Sequence, residues 1–340
     1  MVYKRKPTTK ASKAKALAAA KRAGLNKTEK KQVKKTVENA LKKEHVLKYF
    51  DSETSDDAVA PLPTSETGTN IKKQVSVIAF SSTTEFDSAG ATEHYGSNEI
   101  QPLYLARPFR EANTDDALAA QALNGQYCMP KLAKAHFSIE RVFYRQDIET
   151  GDDLPDTAAQ TLPICYRIIK VETKPQTNTQ IKCEPGEDLF VNSFGQPTGI
   201  DKDNFDRLDC RYDQINAKKY KKLMDMQGTI YQNNIMSENS ADSTSNRRTD
   251  IVTSKVGKSF IHFTVPFQLS ARKNGKLYYA DPQSPGTNTF TSGGKRQYVF
   301  MHFWFENGHG LLGGTHQPDC PKAIDLQIKS KSMSGFVDVQ

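Results

Sequence analysis

The most concentrated chemistry in the chain is positive charge near its start. Residues 1–50 hold sixteen Lys and Arg against Glu29, Glu38 and Glu44, a formal charge of +13; with the whole chain at +8, residues 51–340 carry −5. Lys4, Arg5, Lys6, Lys10, Lys13, Lys15, Lys21, Arg22, Lys27, Lys30, Lys31, Lys34 and Lys35 supply most of that charge. Such a segment can neutralise a polyanion, and nucleic acid is the commonest one. Each phosphate met by a cation releases condensed counterions, so affinity arises without any reading of bases. The preference for Lys over Arg keeps the charge but gives up bidentate phosphate forks. Lys4-Arg5-Lys6, Lys21-Arg22 and Lys34-Lys35 are also short basic clusters of the kind nuclear import receptors read.

No constellation elsewhere supports catalysis. Gly257-Lys258-Ser259 ends like a phosphate-binding loop, but Val252 stands where that loop requires its first Gly. His309-Gly310-Leu311-Leu312-Gly313-Gly314 is a glycine run of oxyanion-hole type, yet no G-x-S-x-G elbow supplies a nucleophile. His302, His309 and His316 recur every seven residues with Cys320 beside them, a spacing that does not gather ligands on strand and loop. Asp147, Glu149, Asp152 and Asp153 lack the Gly at position six of a calcium loop. Trp304 lies in a run apolar on both faces and reads as core before it reads as a stacking platform. The sequence therefore predicts a non-enzyme with no cofactor and no metal.

The surrounding chain sets what carries this charge. Within residues 1–50, Ala and Lys from Ser12 to Arg22 favour helix. A second piece starts at Asn26, an N-cap with Glu29 three residues on, and runs to about Lys43 with Val33, Val37 and Leu41 as a thin apolar stripe. Charge repulsion and a shortage of large apolar residues keep the arm from forming a core, so it is expected to be largely disordered or partly helical. Residues 51–70 are acidic, rich in Ser and Thr, and contain Pro61 and Pro63, which reads as a linker. The folded body is expected over 71–340.

That body reads as all-β. Val75–Phe80, Ala135–Tyr144, Leu162–Val171, Tyr220–Tyr231 (with a break or bulge at Gly228), Phe260–Leu269, Tyr298–Phe305 and Ile324–Ile328 are predicted strands, the last continued by Phe336–Val339. Phe260–Leu269 gives the clearest alternation, with Ile261, Phe263, Val265, Phe267 and Leu269 on one face and Pro266 marking an edge or bulge. Asn274-Gly275 predicts a tight turn, with Leu277-Tyr278-Tyr279 as the return strand of a hairpin. Tyr298–Phe305 is expected to be the most buried strand. Asp147–Gln160, Asn233–Val252 and Asp281–Arg296 read as long loops. Five scattered cysteines without a C-x-x-C fit a reducing compartment. With no signal peptide and no apolar run near the ~20 residues of a membrane helix, the expectation is a soluble protein without membrane insertion.

In layout the chain resembles the capsid proteins of eukaryotic circular Rep-encoding single-stranded DNA (CRESS-DNA) viruses, the group that includes circoviruses. Local likeness lies in Tyr212-Asp-Gln-Ile-Asn-Ala-Lys-Lys-Tyr220, Gly257-Lys-Ser-Phe260, Gly275-Lys-Leu-Tyr-Tyr279 and the aromatic strand Tyr298–Phe305. The resemblance implies a single eight-stranded antiparallel jelly roll and a homo-oligomeric icosahedral shell of about 60 copies. It also implies a single-stranded DNA genome held by the arm, a host nuclear import receptor as partner, and residence in the virion and the host cell nucleus. The departures are the Lys-rich arm and longer loops. Two alternatives stay open: an RNA-virus capsid protein of the same fold, and a non-capsid nucleic-acid-binding β-sandwich protein.

Overall fold

The computed structural model describes residues 24, 27–44, 47–53, 57–58, 60–61, 75–82, 94–96, 98–103, 105, 127–141, 144–146, 163–174, 183–203, 205–231, 234–239, 248–253, 257–270, 275–279, 290–292, 295–306, 320–321 and 325–338. These residues are mostly strand, with a few helices. Eight strands of six or more residues build the two large sheets: β1 (Leu47–Glu53), β2 (Ser76–Ser81), β3 (Tyr127–Arg141), β4 (Ile164–Thr173), β5 (Tyr220–Ile230), β6 (Phe260–Pro266), β7 (Gln297–Phe305) and β8 (Leu326–Asp338). One sheet has the order β1-β8-β3-β6 and the other β2-β7-β4-β5, with every neighbouring pair antiparallel.

Alternation along these strands builds one core shared by both sheets. Phe137, Ile139 and Ile328 come from the first sheet; Phe80, Ile168, Met301 and Phe303 come from the second. The Phe80 and Phe137 rings meet across this core with centroids 5.0 Å apart. A second core covers the opposite face of the β2-β7-β4-β5 sheet. There Val77, Ala79, Ile169, Phe300 and Trp304 pack under Tyr95, Phe190, Phe205 and Ile215. The last three belong to residues 183–219, a cap with the short helices α2 (Pro185–Asp188) and α3 (Arg207–Tyr212). Strand β7 is buried along its whole length because each of its faces has its own core. This is the physical reason for a run apolar on both sides.

Several local expectations change. Strand pairing begins at Leu47, which lies opposite Val337, and continues through Asp57–Ala58 and Ala60–Pro61, on the N-terminal side of the boundary suggested near Ile71. A strand at a sheet's edge can be this polar because only one neighbour packs against it. Leu277–Tyr279 is not the return of a hairpin with β6. It pairs with Tyr127 and Cys128 of β3, farther along the same edge that β6 occupies, so the chain carries on in the same direction. The bulge in β5 falls at Leu223, where the register with β4 shifts, and not at Gly228. Gly228 lies instead under the Tyr166 ring, which fills the space a Cβ would need. The segment 233–252 contains a hairpin of Asn234–Asn239 with Arg248–Thr253. The loop 147–160, the Ser12–Arg22 helix and Asn274 lie outside the described residues. None of the five cysteines is in a disulfide, and four of them are buried. No helix among the described residues is long and apolar enough to cross a membrane.

Candidate nucleic-acid interface

Helix α1 (Lys27–Glu44) carries the described part of the cationic segment. At 3.6 residues per turn, Lys27, Lys30, Lys31, Lys34 and Lys35 fall within roughly 140° of arc. The side chains of Lys30, Lys31, Lys34 and Lys35 are exposed, and Val33 beside them is half-buried. Glu29 in the first turn complements the helix dipole. The Thr36 hydroxyl turns back to donate to the Gln32 carbonyl at 2.9 Å. The arrangement offers a row of ammonium groups to phosphates. Lys4, Arg5, Lys6, Lys10, Lys13, Lys15, Lys21 and Arg22 lie outside the described residues. Only residues 45–46 separate α1 from β1, so the cations hang directly from the edge of a sheet.

Lys218, Lys219, Lys221 and Lys222 are the body's densest run of cations, and two of the four lie against carboxylates. Lys219 is ion-paired with Asp188, and the Lys222 ammonium lies 3.6 Å from the Asp225 carboxylate.

The polar groups buried in the body are tied to one another. Arg167 donates to both carboxylate oxygens of Asp225 at 3.0 Å and to the carbonyls of Cys210 and Asp213 at 2.7 and 2.9 Å. Burial pushes the Asp225 carboxyl upward, but the Arg167 bonds and charge outweigh it and hold the group below its ordinary range. Asp188 accepts from Tyr220 at 2.5 Å and from Lys219, while its carbonyl accepts from Asn216 at 3.0 Å. His302 Nδ1 donates to the Arg167 carbonyl at 3.2 Å. Because a carbonyl only accepts, Nε2 is left to accept from the Tyr95 hydroxyl at 2.7 Å. Full burial lowers the His302 pKa to about 3, so the ring stays neutral. Burial likewise lowers Lys170 to about 8; its ammonium donates to the Pro266 carbonyl and stands 4.3 Å from the centroid of the Phe267 ring. These groups clamp the cap to its sheet and one sheet to the other.

The motifs weighed for catalysis make structural contacts where they are described. Lys258 and Ser259 give their carbonyls to the amides of Tyr231 and Arg141, and a side chain at Gly257 would strike the Tyr231 ring. His302 is the buried bridge just described, while His309 and His316 lie outside the described residues. Among the described residues no group of His, Cys, Asp and Glu is arranged to hold a metal ion. Reading the sequence missed Arg167, Asp188 and Asp225. The available signal was a full charge inside an otherwise apolar strand, which demands a partner. No family model and no curated protein matches this chain.

Proposed function

We propose that this chain is a viral capsid protein that self-assembles into a closed icosahedral shell and packages single-stranded DNA through its basic N-terminal arm. The observation that carries this reading is the joining of opposites: a segment of charge +13 runs into the edge strand of a body of charge −5. A protein that reads nucleic acid with its body needs a basic face there. Here the net positive charge is carried by the arm.

The strand order supports the shell reading. Numbered along the chain, the eight long strands pair as 1-8-3-6 and 2-7-4-5. A jelly roll, two Greek keys folded into a two-sheet sandwich, pairs its strands in this order, which supports that reading of the body. Such a body sends its loops to the ends of the sandwich, where they meet neighbouring copies. The three basic clusters give a host import receptor something to read, which fits assembly in the nucleus.

The arm's chemistry reads phosphate, so single-stranded DNA as cargo rests on the resemblance to CRESS-DNA capsid proteins. Nuclease treatment of material released from purified particles tests it. Degradation by DNase and not by RNase is the expected result, and the reverse points to an RNA-virus capsid.

A further inference from the structure

Helix α3 and its C-cap carry three carboxylates toward one buried guanidinium. Asp206, Asp209 and Asp213 stand at i, i+3 and i+7, within roughly 60° of arc at 3.6 residues per turn. Arg207 and Arg211 fall on another side of the helix, where their charges bear on the Cys165 thiol of β4. From β4, Arg167 grips the helix end through the carbonyls of Cys210 and Asp213, while both carboxylate oxygens of Asp225 on β5 hold the guanidinium in place. Lys222 of β5 lies beside Asp225, and from β7 the neutral His302 ring donates to the Arg167 carbonyl. Four carboxylates thus meet one buried guanidinium and one exposed ammonium.

The hydrogen bonds show which carboxylate is left over. Asp225 takes two bonds from Arg167. Asp206 Oδ1 accepts the amides of Leu208 and Asp209 at 2.7 and 3.0 Å, and Asp209 Oδ2 accepts the Asp206 amide at 3.0 Å. Asp213 gives Arg167 only its backbone carbonyl; its Oδ2 is buried and has no hydrogen-bond partner among the described residues. A buried carboxylate oxygen without a donor favours the protonated form. Burial, joined by the Asp209 and Asp206 charges, pushes the Asp213 carboxyl up to about 6 against the pull of Arg167.

We propose that Asp213 makes the hold of α3 on its sheet a pH-sensitive latch, closed when this carboxyl is protonated and loosened when it ionises. Ionised, it adds a poorly solvated charge beside Asp209, on the same residue whose carbonyl Arg167 grips. Protonated, it removes that repulsion and leaves the grip intact. The latch governs the cover of the second core: Phe205 and Ile215 flank α3 in the chain, and Cys210 on the helix is fully buried. The direction follows from linkage. An acid whose folded pKa is raised above the unfolded value of about 3.9 contributes stability that is complete below that value and is lost as pH rises through about 6. The cap is therefore held more tightly at pH 5 than at pH 8. The latch belongs to the folded body and depends on neither assembly nor cargo.

Hydrogen exchange of the full chain, read by mass spectrometry and corrected for the intrinsic pH dependence of exchange, tests it. Protection of residues 205–216 should fall by about three- to tenfold between pH 5 and pH 8 with a midpoint near 6, the lower figure allowing for solvent screening of a half-buried carboxyl. Asp213→Asn, which keeps the size and the backbone carbonyl, should flatten that profile, with Asp213→Ser as a second uncharged variant. Asp203→Asn, at an exposed position nearby, should leave the profile as in wild type. Equal wild-type protection at the two pH values overturns the latch whatever the variants do. An unchanged profile in the uncharged variants overturns Asp213 as its titrating group, and a fall shared equally by β7 shows global unfolding and overturns the local hold.

Discussion

Replacing His302 by Gln should change how stability responds to acid far more than it changes stability at neutral pH. The Gln amide can still donate to the Arg167 carbonyl and accept from Tyr95, but it cannot titrate. In the wild type, burial holds His302 neutral with a pKa of about 3, against about 6.5 for the same ring in the unfolded chain. A base whose pKa is lowered by folding contributes stability that is complete above the unfolded value and is lost as pH falls toward the folded one. Between pH 7 and pH 5 the unfolded state gains nearly one proton that the native state does not. The linkage comes to about 2 kcal/mol. Asp213 acts in the opposite sense in this window, because burial pushes its carboxyl up to about 6; it is common to both proteins and cancels in the difference. Urea unfolding of the full chain at pH 7 and pH 5 gives the number. The wild type should lose about 2 kcal/mol more than His302→Gln over this interval. Identical losses would refute the claim that His302 is a buried neutral bridge.

Three further outcomes follow from the described geometry. Deleting residues 1–44, which leaves β1 in place, should preserve folding by circular dichroism and abolish cargo packaging. The isolated arm should bind single strands without sequence preference, with a log–log salt slope of roughly −0.7 per phosphate neutralised. Fusing residues 1–46 to a reporter too large to diffuse through nuclear pores should carry it into the nucleus, and changing Lys4-Arg5-Lys6, Lys21-Arg22 and Lys34-Lys35 together to Ala should leave it in the cytoplasm. Gly228→Ala should destabilise by about 1–3 kcal/mol in urea unfolding, because the new methyl strikes Tyr166; adding Tyr166→Ala should remove most of that coupling.

What could be read from the sequence depended on how local the cause was. The alternation of Ile261, Phe263 and Val265 foretold β6, and the doubly apolar run foretold the buried β7. The N-cap and charge pattern after Asn26 foretold the helix that spans Lys27–Glu44. Strand β1 was hidden because LKYFDSE is polar and becomes a strand only by pairing with β8, at the far end of the chain. The partner of Leu277–Tyr279 was hidden for a similar reason: a turn signal marks a change of conformation but does not say which edge the chain meets next. The clamps were least visible. Arg167 and Asp225 are 58 residues apart, and Asp188 meets Tyr220 across 32. Of the candidate interface, the cations and their helical spacing were legible, because both follow from local sequence.

The central claim is assembly around nucleic acid, and one preparation tests it most directly: the full chain expressed in cells, purified after nuclease treatment, and examined by electron microscopy and sedimentation with the retained nucleic acid measured. Closed particles of one size, of about 60 copies and holding nuclease-resistant single-stranded DNA, are the predicted result. A chain that stays a monomer or small oligomer at high concentration, with and without added nucleic acid, would contradict it.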